Sequence, residues 1–419
     1  MSLTEKSKSY FDTLKGLNSY SNEIGVQALQ YFEEHGLPSK RAEDYKYNNF
    51  ESETCEVLRS SSIDQLSAED RETLAALPGE HKAVFINGLY SEKESILPKG
   101  VNLKEVGQPL LSPINDPFEA ISYQTAQKSY TLTFPKNEKS ALVSIANFHL
   151  SNELETTSSL INLNIEKGAQ AEVLEFHSSR GDHRNQTFTV TNLTLEENAH
   201  LKFASASLGG LSQIGVYKVK ATIAKDANLN SLTFSVSGAL VRNNIEIYLK
   251  GVGSHATANG LYTARGEQHQ DNFSHIHHAA PHSTSNQIFK GIIDDSGRGA
   301  FTGKIVVHRD AQKVDSSQLN KNLLLSKKAQ VDTRPQIEVY ADDVKCGHGA
   351  TVGQINQEEV FYLESRGIPR SKAQKILCHA FGQEVLESFE QKEVSSFLSG
   401  LLYNNFEKFA LEHLELGDA

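Results

Sequence analysis

The sequence predicts a mainly β protein, a stack of short strands with helical regions before and after it. Three observations carry that prediction. Apolar and polar residues alternate with a period of two in many stretches between about residue 136 and residue 350. Turns of one flavour, each centred on an alanine, recur through the same stretch. From Gln357 the apolar spacing changes to the three- and four-residue steps of helices. With no Trp and a single Met among 419 residues, the core has to be built from aliphatic side chains and Phe.

Residues 1–135 form a mixed first region. A helix is expected from Asn22 to Glu34, with Val26, Leu29 and Phe32 at three-residue steps and Ala28 beside them. Gly36 is placed as its stop and Pro38 lies just beyond. Pro98, Pro109, Pro113 and Pro117 then punctuate a linker toward the core.

Residues 136–353 form the β core. Ile161, Leu163 and Ile165 alternate with Asn162, Asn164 and Glu166. The pattern returns at Leu193 and Leu195, at Tyr217, Val219, Ala221 and Ile223, and at Ile337 and Val339. The turn alanines are Ala169, Ala199 and Ala227, then Ala311 and Ala329. Intervals of about thirty residues, and later about eighteen, suit the coils of a β-solenoid. A β-sandwich also accommodates short strands with turns every 8–12 residues or so. Asn-Gly hairpin pairs are scarce, only Asn87-Gly88 and Asn259-Gly260, which favours the solenoid.

Residues 354–419 read as helical. Leu377, Phe381 and Val385 stand at i, i+4 and i+8, Gly367 and Pro369 separate two helices, and an amphipathic run spans Val394 to Leu414. Helices after a β core serve as a docking surface or as packing against the core end.

Composition narrows the function. A net charge of −11 without long basic blocks weighs against nucleic acid as partner. Met1 to Tyr10 lacks the apolar stretch of a signal peptide, and no run reaches the roughly 20 apolar residues a bilayer crossing needs. Three cysteines far apart make no disulfide framework and fit a reducing compartment. A soluble cytoplasmic protein is expected. Phosphate-binding loop, Gly-x-Ser-x-Gly elbow and dinucleotide fingerprint are all missing, and Leu208-Gly209-Gly210 lacks the spacing of the last. No enzyme activity is expected, and any ATP hydrolysis has to come from a partner.

Candidate ligands fall in two places. Cys346 and His348 sit at i and i+2 between Gly347 and Gly349, so in a strand they point to one side. Thiolate and imidazole suit iron or zinc, but two ligands need others from elsewhere in the fold or from a second chain. Packing beside a turn is the commoner explanation of such a pair. His269, His275, His277, His278 and His282 form the densest ionisable cluster, with no Glu or Cys at a familiar ligand interval after them. They suit either an independent metal site or an outward strand face. Cys378 and His379 are adjacent in a helix and point about 100° apart, so Cys378 reads as a small hydrophobe. Cys55 has no neighbouring base or ligand.

Four segments together resemble a known family. The run from Tyr340 to Ile368, built around Cys346-Gly347-His348-Gly349, is the most specific. Gly36 to Tyr47 resembles the same family's N-terminal motif, with Tyr45 where Trp is usual. His278 to Gln287 into Phe289-Lys290-Gly291 resembles its mid-core motif, and Ile376 to Phe381 into Glu384-Val385-Leu386 its C-terminal helix. The family is the SufB/SufD iron–sulfur cluster assembly proteins, with the SufD branch nearest because this chain lacks a cluster-holding set of cysteines. The resemblance implies a right-handed parallel β-helix core and a non-catalytic scaffold role. It implies pairing with a SufB-like subunit and attachment of a SufC-like ABC ATPase to the C-terminal helices, where Leu377, Phe381 and Val385 would form the contact. It places Cys346 and His348 where two β-helices meet, as shared ligands to a transient cluster or to incoming iron, with no cluster held tightly by the isolated chain. His278 to His282 would be a structural turn. Exposed β-helix edges invite self-pairing, so a homodimer of the isolated chain is possible. The competing enzyme reading, a carbohydrate-active β-helix with Asp294, Asp295, Arg298, Arg309 and Asp310 along a groove, has against it the absent leader and the 8% aromatic content.

Overall fold

The alternating segments pair with the equivalent segments one coil before and one coil after, giving a parallel β-solenoid of about seven turns with helices on both sides of it in sequence. The computed structural model describes residues 3–17, 23–54, 65–106, 113–151, 154–180 and 184–407. Among them, ten strands form one sheet and nine form the other, and from Ser129 onward successive strands alternate between the two. The ten-stranded sheet ends on Val344–Gln354, which pairs with Val314–Leu324; the nine-stranded sheet ends on Gln330–Val339, which pairs with Arg298–Val307.

Register is carried through without slippage. Ile165, Leu195, Ile223, Leu249, His278, Val307 and Val339 stand on one another in successive coils of the nine-stranded sheet. Because side chains alternate sides, a residue that faces inward in one coil is stacked on inward residues of its neighbours. Ile161, Leu163, Ile165, Leu193, Leu195, Val219, Ala221 and Ile223 thus meet Val143, Ile145, Val173, Leu201 and Phe203 of the opposite sheet in one interior cluster. Among the described residues, antiparallel pairing is confined to Leu89–Tyr90, Asn102–Val106 and an isolated bridge between Lys82 and Ile96, all before residue 136, so the sandwich alternative fails.

One turn position explains the alanine rhythm. Asn137, Gly168, Asn198, Asp226, Gly253, His282 and Lys313 all adopt positive φ. Each donates its backbone N–H to a carbonyl of the next coil, from Asn137 on Lys167 to Lys313 on Asp343, at 2.7–3.3 Å. Small polar residues and Gly tolerate this left-handed conformation best. Ala169, Ala199 and Ala227 follow it directly and are buried. Ala311 lies on the same side of the solenoid, whereas Ala329 turns from the ten-stranded to the nine-stranded sheet on the opposite side. That crossing is why the interval drops from near thirty to eighteen.

Parallel pairing also reaches back before residue 136. His81–Ile86 pairs with Val143–Leu150, and Ser129–Phe134 with Thr156–Ile165. The proline-punctuated stretch is therefore more than a linker. Pro117 opens the helix Pro117–Thr125, capped by Asp116, whose carboxylate accepts the amides of Phe118 and Glu119. Pro109 lies outside the described residues.

The early helix spans Glu23–His35, with Asn22 outside the described residues. Its buried face is Ile24, Ala28 and Phe32 at four-residue steps, not the expected Val26–Leu29–Phe32 row, and Val26 is half exposed. Gly36 ends it at φ 65°. At the other end, Gln357–Ser365, Arg370–Glu387 and Lys392–Phe406 are helical, broken by Gly367 at φ 82° and Pro369. The expected run to Leu414 passes beyond the described residues after Glu407. These helices cover the outer face of the ten-stranded sheet, where Phe176, Ala204, Leu232, Phe234 and Leu261 meet Cys378, Val385, Leu386, Leu398 and Leu402. Among the described residues, no helix is long and apolar enough to cross a membrane.

Candidate functional site

Cys346 and His348 lie on the terminal strand of the ten-stranded sheet. Cys346 stands on Ser316 and His348 on Gln318. Those two are buried interior residues: Ser316 shares a hydrogen bond with Ser285 at 2.7 Å, and Gln318 donates to Gln287 at 3.4 Å. Cys346 and His348 thus continue an inward-facing polar row to the last coil, where among the described residues no further strand covers them. Cys346 is half-buried against the end of the interior packing, beside Ile305, Val307, Val314 and Ala341, while His348 is exposed. Burial, and then the nearby Asp315 carboxylate, raise the Cys346 thiol above its usual range. Both terminal strands, Gln330–Val339 and Val344–Gln354, leave one row of backbone groups unpaired within the sheets among the described residues.

The three residues expected to meet a partner on the C-terminal helices separate. Val385 is 1% exposed and lies inside the packing between helix and sheet, so it belongs to the core and not to a docking surface. Leu377 and Phe381 are partly buried and line a cleft of about 300 Å³ against Thr351–Asn356 at the end of the terminal strand. Helical spacing placed all three on one face but could not tell the sheet side from the solvent side. Lys290 fixes the helix there: its ammonium donates to the Phe381 carbonyl at 2.9 Å and to Glu384 at 2.5 Å, and stands over the Phe381 ring. Phe361 and Tyr362 on the preceding helix are 70% and 58% exposed, a surface apolar pair the pattern did not single out. Cys378 is buried, and burial drives its thiol far up, as fits a small hydrophobe. Cys55 lies outside the described residues.

The five clustered histidines do different things. His278 faces the interior and is bonded through both ring nitrogens, to Ser283 at 2.8 Å and Ser285 at 2.9 Å. His282 occupies the left-handed turn position. His269 lines a polar cleft of about 660 Å³ with Lys40, Arg265 and Arg298. Burial, then Arg298 and Lys40, depress it to about 4. His275 and His277 point the other way, onto the outer face of the nine-stranded sheet, next to Glu246 of the preceding coil. A carboxylate 29 positions earlier in the chain is invisible to a search of local spacing.

That outer face carries a dense buried ionic layer, which the sequence pattern did not reveal. Lys218 and Lys220 reach the Glu119 carboxylate at 3.1 and 2.9 Å. Arg242, fully buried, pairs with Asp271 and lies over the rings of Tyr45 and Phe273 at 4.0 and 4.9 Å. The Tyr45 hydroxyl donates to Asp116 at 2.5 Å, and Asn48 donates to Asp271, so the N-terminal segment is locked onto the sheet through polar contacts.

The acidic and basic residues considered for a glycan groove do not form a row. Asp294, Asp295 and Arg298 sit at a turn from the ten- to the nine-stranded sheet, and Arg309 and Asp310 at a turn back, on the opposite side of the solenoid. Asp294 is moreover buried.

Comparison with known proteins is consistent with this geometry. A family model described as SUF system FeS cluster assembly, SufBD core domain, matches residues 148–381. The chain is 31% identical over 378 residues to the iron-sulfur cluster assembly protein SufD of Escherichia coli (strain K12), covering 87% of this chain and 88% of that one. It is 32% identical over 198 residues to a SufBD family protein of Synechocystis, 47% of this chain and 44% of the relative. To SufD of Bacillus subtilis (strain 168) it is 32% identical over 133 residues, 32% of this chain and 30% of that one.

Proposed function

The chain belongs to the SufB/SufD family of iron–sulfur cluster assembly proteins, on its SufD branch, and we propose that it works there as a non-catalytic scaffold subunit. The observation that carries this reading is the open end of the solenoid, where two edge strands are uncovered on their outer side among the described residues and one of them carries Cys346 and His348. A second β-helix, from a SufB-like subunit, extends both sheets across those edges and brings its own ligands to the same point. Few, mixed and subunit-shared ligands suit a cluster that must be handed on, because a closed four-thiolate site would retain it. The raised Cys346 thiol stays protonated in the lone chain, and iron or cluster has to displace that proton.

A SufC-like ATPase docks on the C-terminal helices, with Leu377 and Phe381 at its cleft and Phe361 and Tyr362 beside it. The ATPase supplies the hydrolysis that this chain lacks motifs for, and its motion opens or closes the subunit junction. The complex works in the cytoplasm, in keeping with three cysteines far apart in sequence.

Co-expression with SufB-like and SufC-like proteins of the same host, then anaerobic size exclusion with iron and sulfide analysis, tests the proposal. A ternary complex that builds a cluster, where this chain alone holds none, is the expected result. A chain that elutes alone in the presence of both partners would overturn it.

A further inference from the structure

Away from the open end, the outer face of the nine-stranded sheet holds a second constellation with ligand chemistry. In-register pairing sets Glu246 beside His275 and Tyr248 beside His277. One ligand atom from each of Glu246, His275 and His277 lies within 4.8 Å of the other two. The His275 and His277 rings stand 3.9 Å apart between centroids. Nε2 of His275 and both ring nitrogens of His277 are buried without a hydrogen-bond partner. A buried nitrogen left without a partner is unfavourable, and each one in a native fold calls for an explanation such as an ion. A pocket of about 50 Å³ opens beside Glu246 and His275, lined also by Asn115, Asp116, Lys218 and Arg242; His277 stands next to it, outside its lining.

The surroundings hold Glu246 and His277 as a second layer holds metal ligands. Asn115 donates to both Glu246 oxygens at 2.8 and 3.0 Å, and the Tyr248 hydroxyl to one of them at 2.7 Å. The Tyr248 ring stacks on His277 at 4.4 Å and 4°. Supporting contacts of this kind fix carboxylate and ring orientation around an ion.

Nearby cations do not forbid a further charge. Lys218 and Lys220 are engaged by Glu119, Lys218 also lies 3.7 Å from Glu246, and Lys304 is engaged by Glu338 at 2.9 Å. With Arg242, these three lysines face six carboxylates, Glu119, Glu246, Glu338, Asp116, Asp44 and Asp271, which leaves two formal negative charges among the residues named. We propose that Glu246, His275 and His277 bind one divalent first-row transition ion of the zinc or ferrous type, with water completing its shell. Two imidazoles and one carboxylate are the donor set of such open sites. At bonds of about 2.0–2.1 Å the ligand atoms of a tetrahedral site stand roughly 3.3 Å apart, so the rings turn inward by about an ångström on binding.

The test is anaerobic titration of the full, chelator-stripped chain with Co²⁺, read by its visible absorption, followed by displacement with Zn²⁺. One Co²⁺ per chain is expected, unchanged in the double variant Cys346→Ser, His348→Ala. Binding is expected to be lost in Glu246→Gln and in His277→Phe, which keeps the stack on Tyr248 but removes the nitrogens. Circular dichroism of the metal-free variants establishes that they fold. No Co²⁺ band in the parent chain, a band that survives His277→Phe, or a band abolished by the Cys346 and His348 changes would each overturn the proposal.

Discussion

At the scale of single residues, the buried Arg242–Asp271 pair and the exposed His348 make opposite predictions. Arg242 is enclosed by Tyr45 and Phe273, and its removal leaves the Asp271 carboxylate buried without a counter-charge. Breaking a buried pair from one side costs about 3–5 kcal/mol. Arg242→Ala should therefore lower unfolding free energy by that amount in denaturant titration, and a loss within the 0–1 kcal/mol or so of a surface pair would show that water or rearrangement compensates. His348 is exposed at a strand edge and supports no core contact. His348→Ala should leave the melting temperature unchanged and reduce cluster yield in the complete complex severalfold or more. A normal iron and sulfide content in that variant complex would remove His348 from the site.

At the scale of elements, the helix Arg370–Glu387 divides its apolar residues between two tasks. Val385 packs against the sheet, whereas Leu377 and Phe381 border the open cleft by the terminal strand. Leu377→Asp should weaken co-purification of the ATPase subunit with little change in the stability of the isolated chain. Val385→Asp should instead destabilise the chain itself by several kcal/mol, since it puts an unpaired charge where an apolar group was buried. Equal effects of the two changes on both measurements would erase the distinction. Lys290 and Glu384 supply the polar anchor between this helix and the sheet. The strands behave differently, because their register is set by neighbours in the next coil and seven successive coils, from Asn137 to Lys313, repeat the same left-handed turn position.

At the scale of the whole molecule, the solenoid buries titratable rings that must stay neutral. His149 is fully buried and driven well below 6.5 by burial and by His177, and His269 is depressed to about 4. Between pH 6.5 and 4 the unfolded chain takes up these protons before the folded one does. Stability is therefore complete above pH 6.5 and falls as pH drops toward 4, by up to roughly 3 kcal/mol for His269 at the low end. Thermal melts across that window should show the decline, and His269→Gln should make it shallower. A flat profile would mean that the folded rings accept protons as readily as the unfolded ones.

What the sequence determined by itself is what repeats locally. Alternation at Ile161, Leu163 and Ile165, the turn residues before Ala169, Ala199 and Ala227, and the Cys346-Gly347-His348 spacing all depend on residues within one strand or turn, so they were legible as strands, coils and a same-side Cys–His pair. What only the tertiary structure decided is which side of each element faces what, and which coils meet. Glu246 reaches His275 and His277 from one coil earlier, Arg242 meets Asp271 across the same 29 residues, and Val385 turns to the sheet while Leu377 borders the cleft. Those contacts follow from the length of a coil and the stacking of its sheets, which set distances in space that no spacing along the chain encodes.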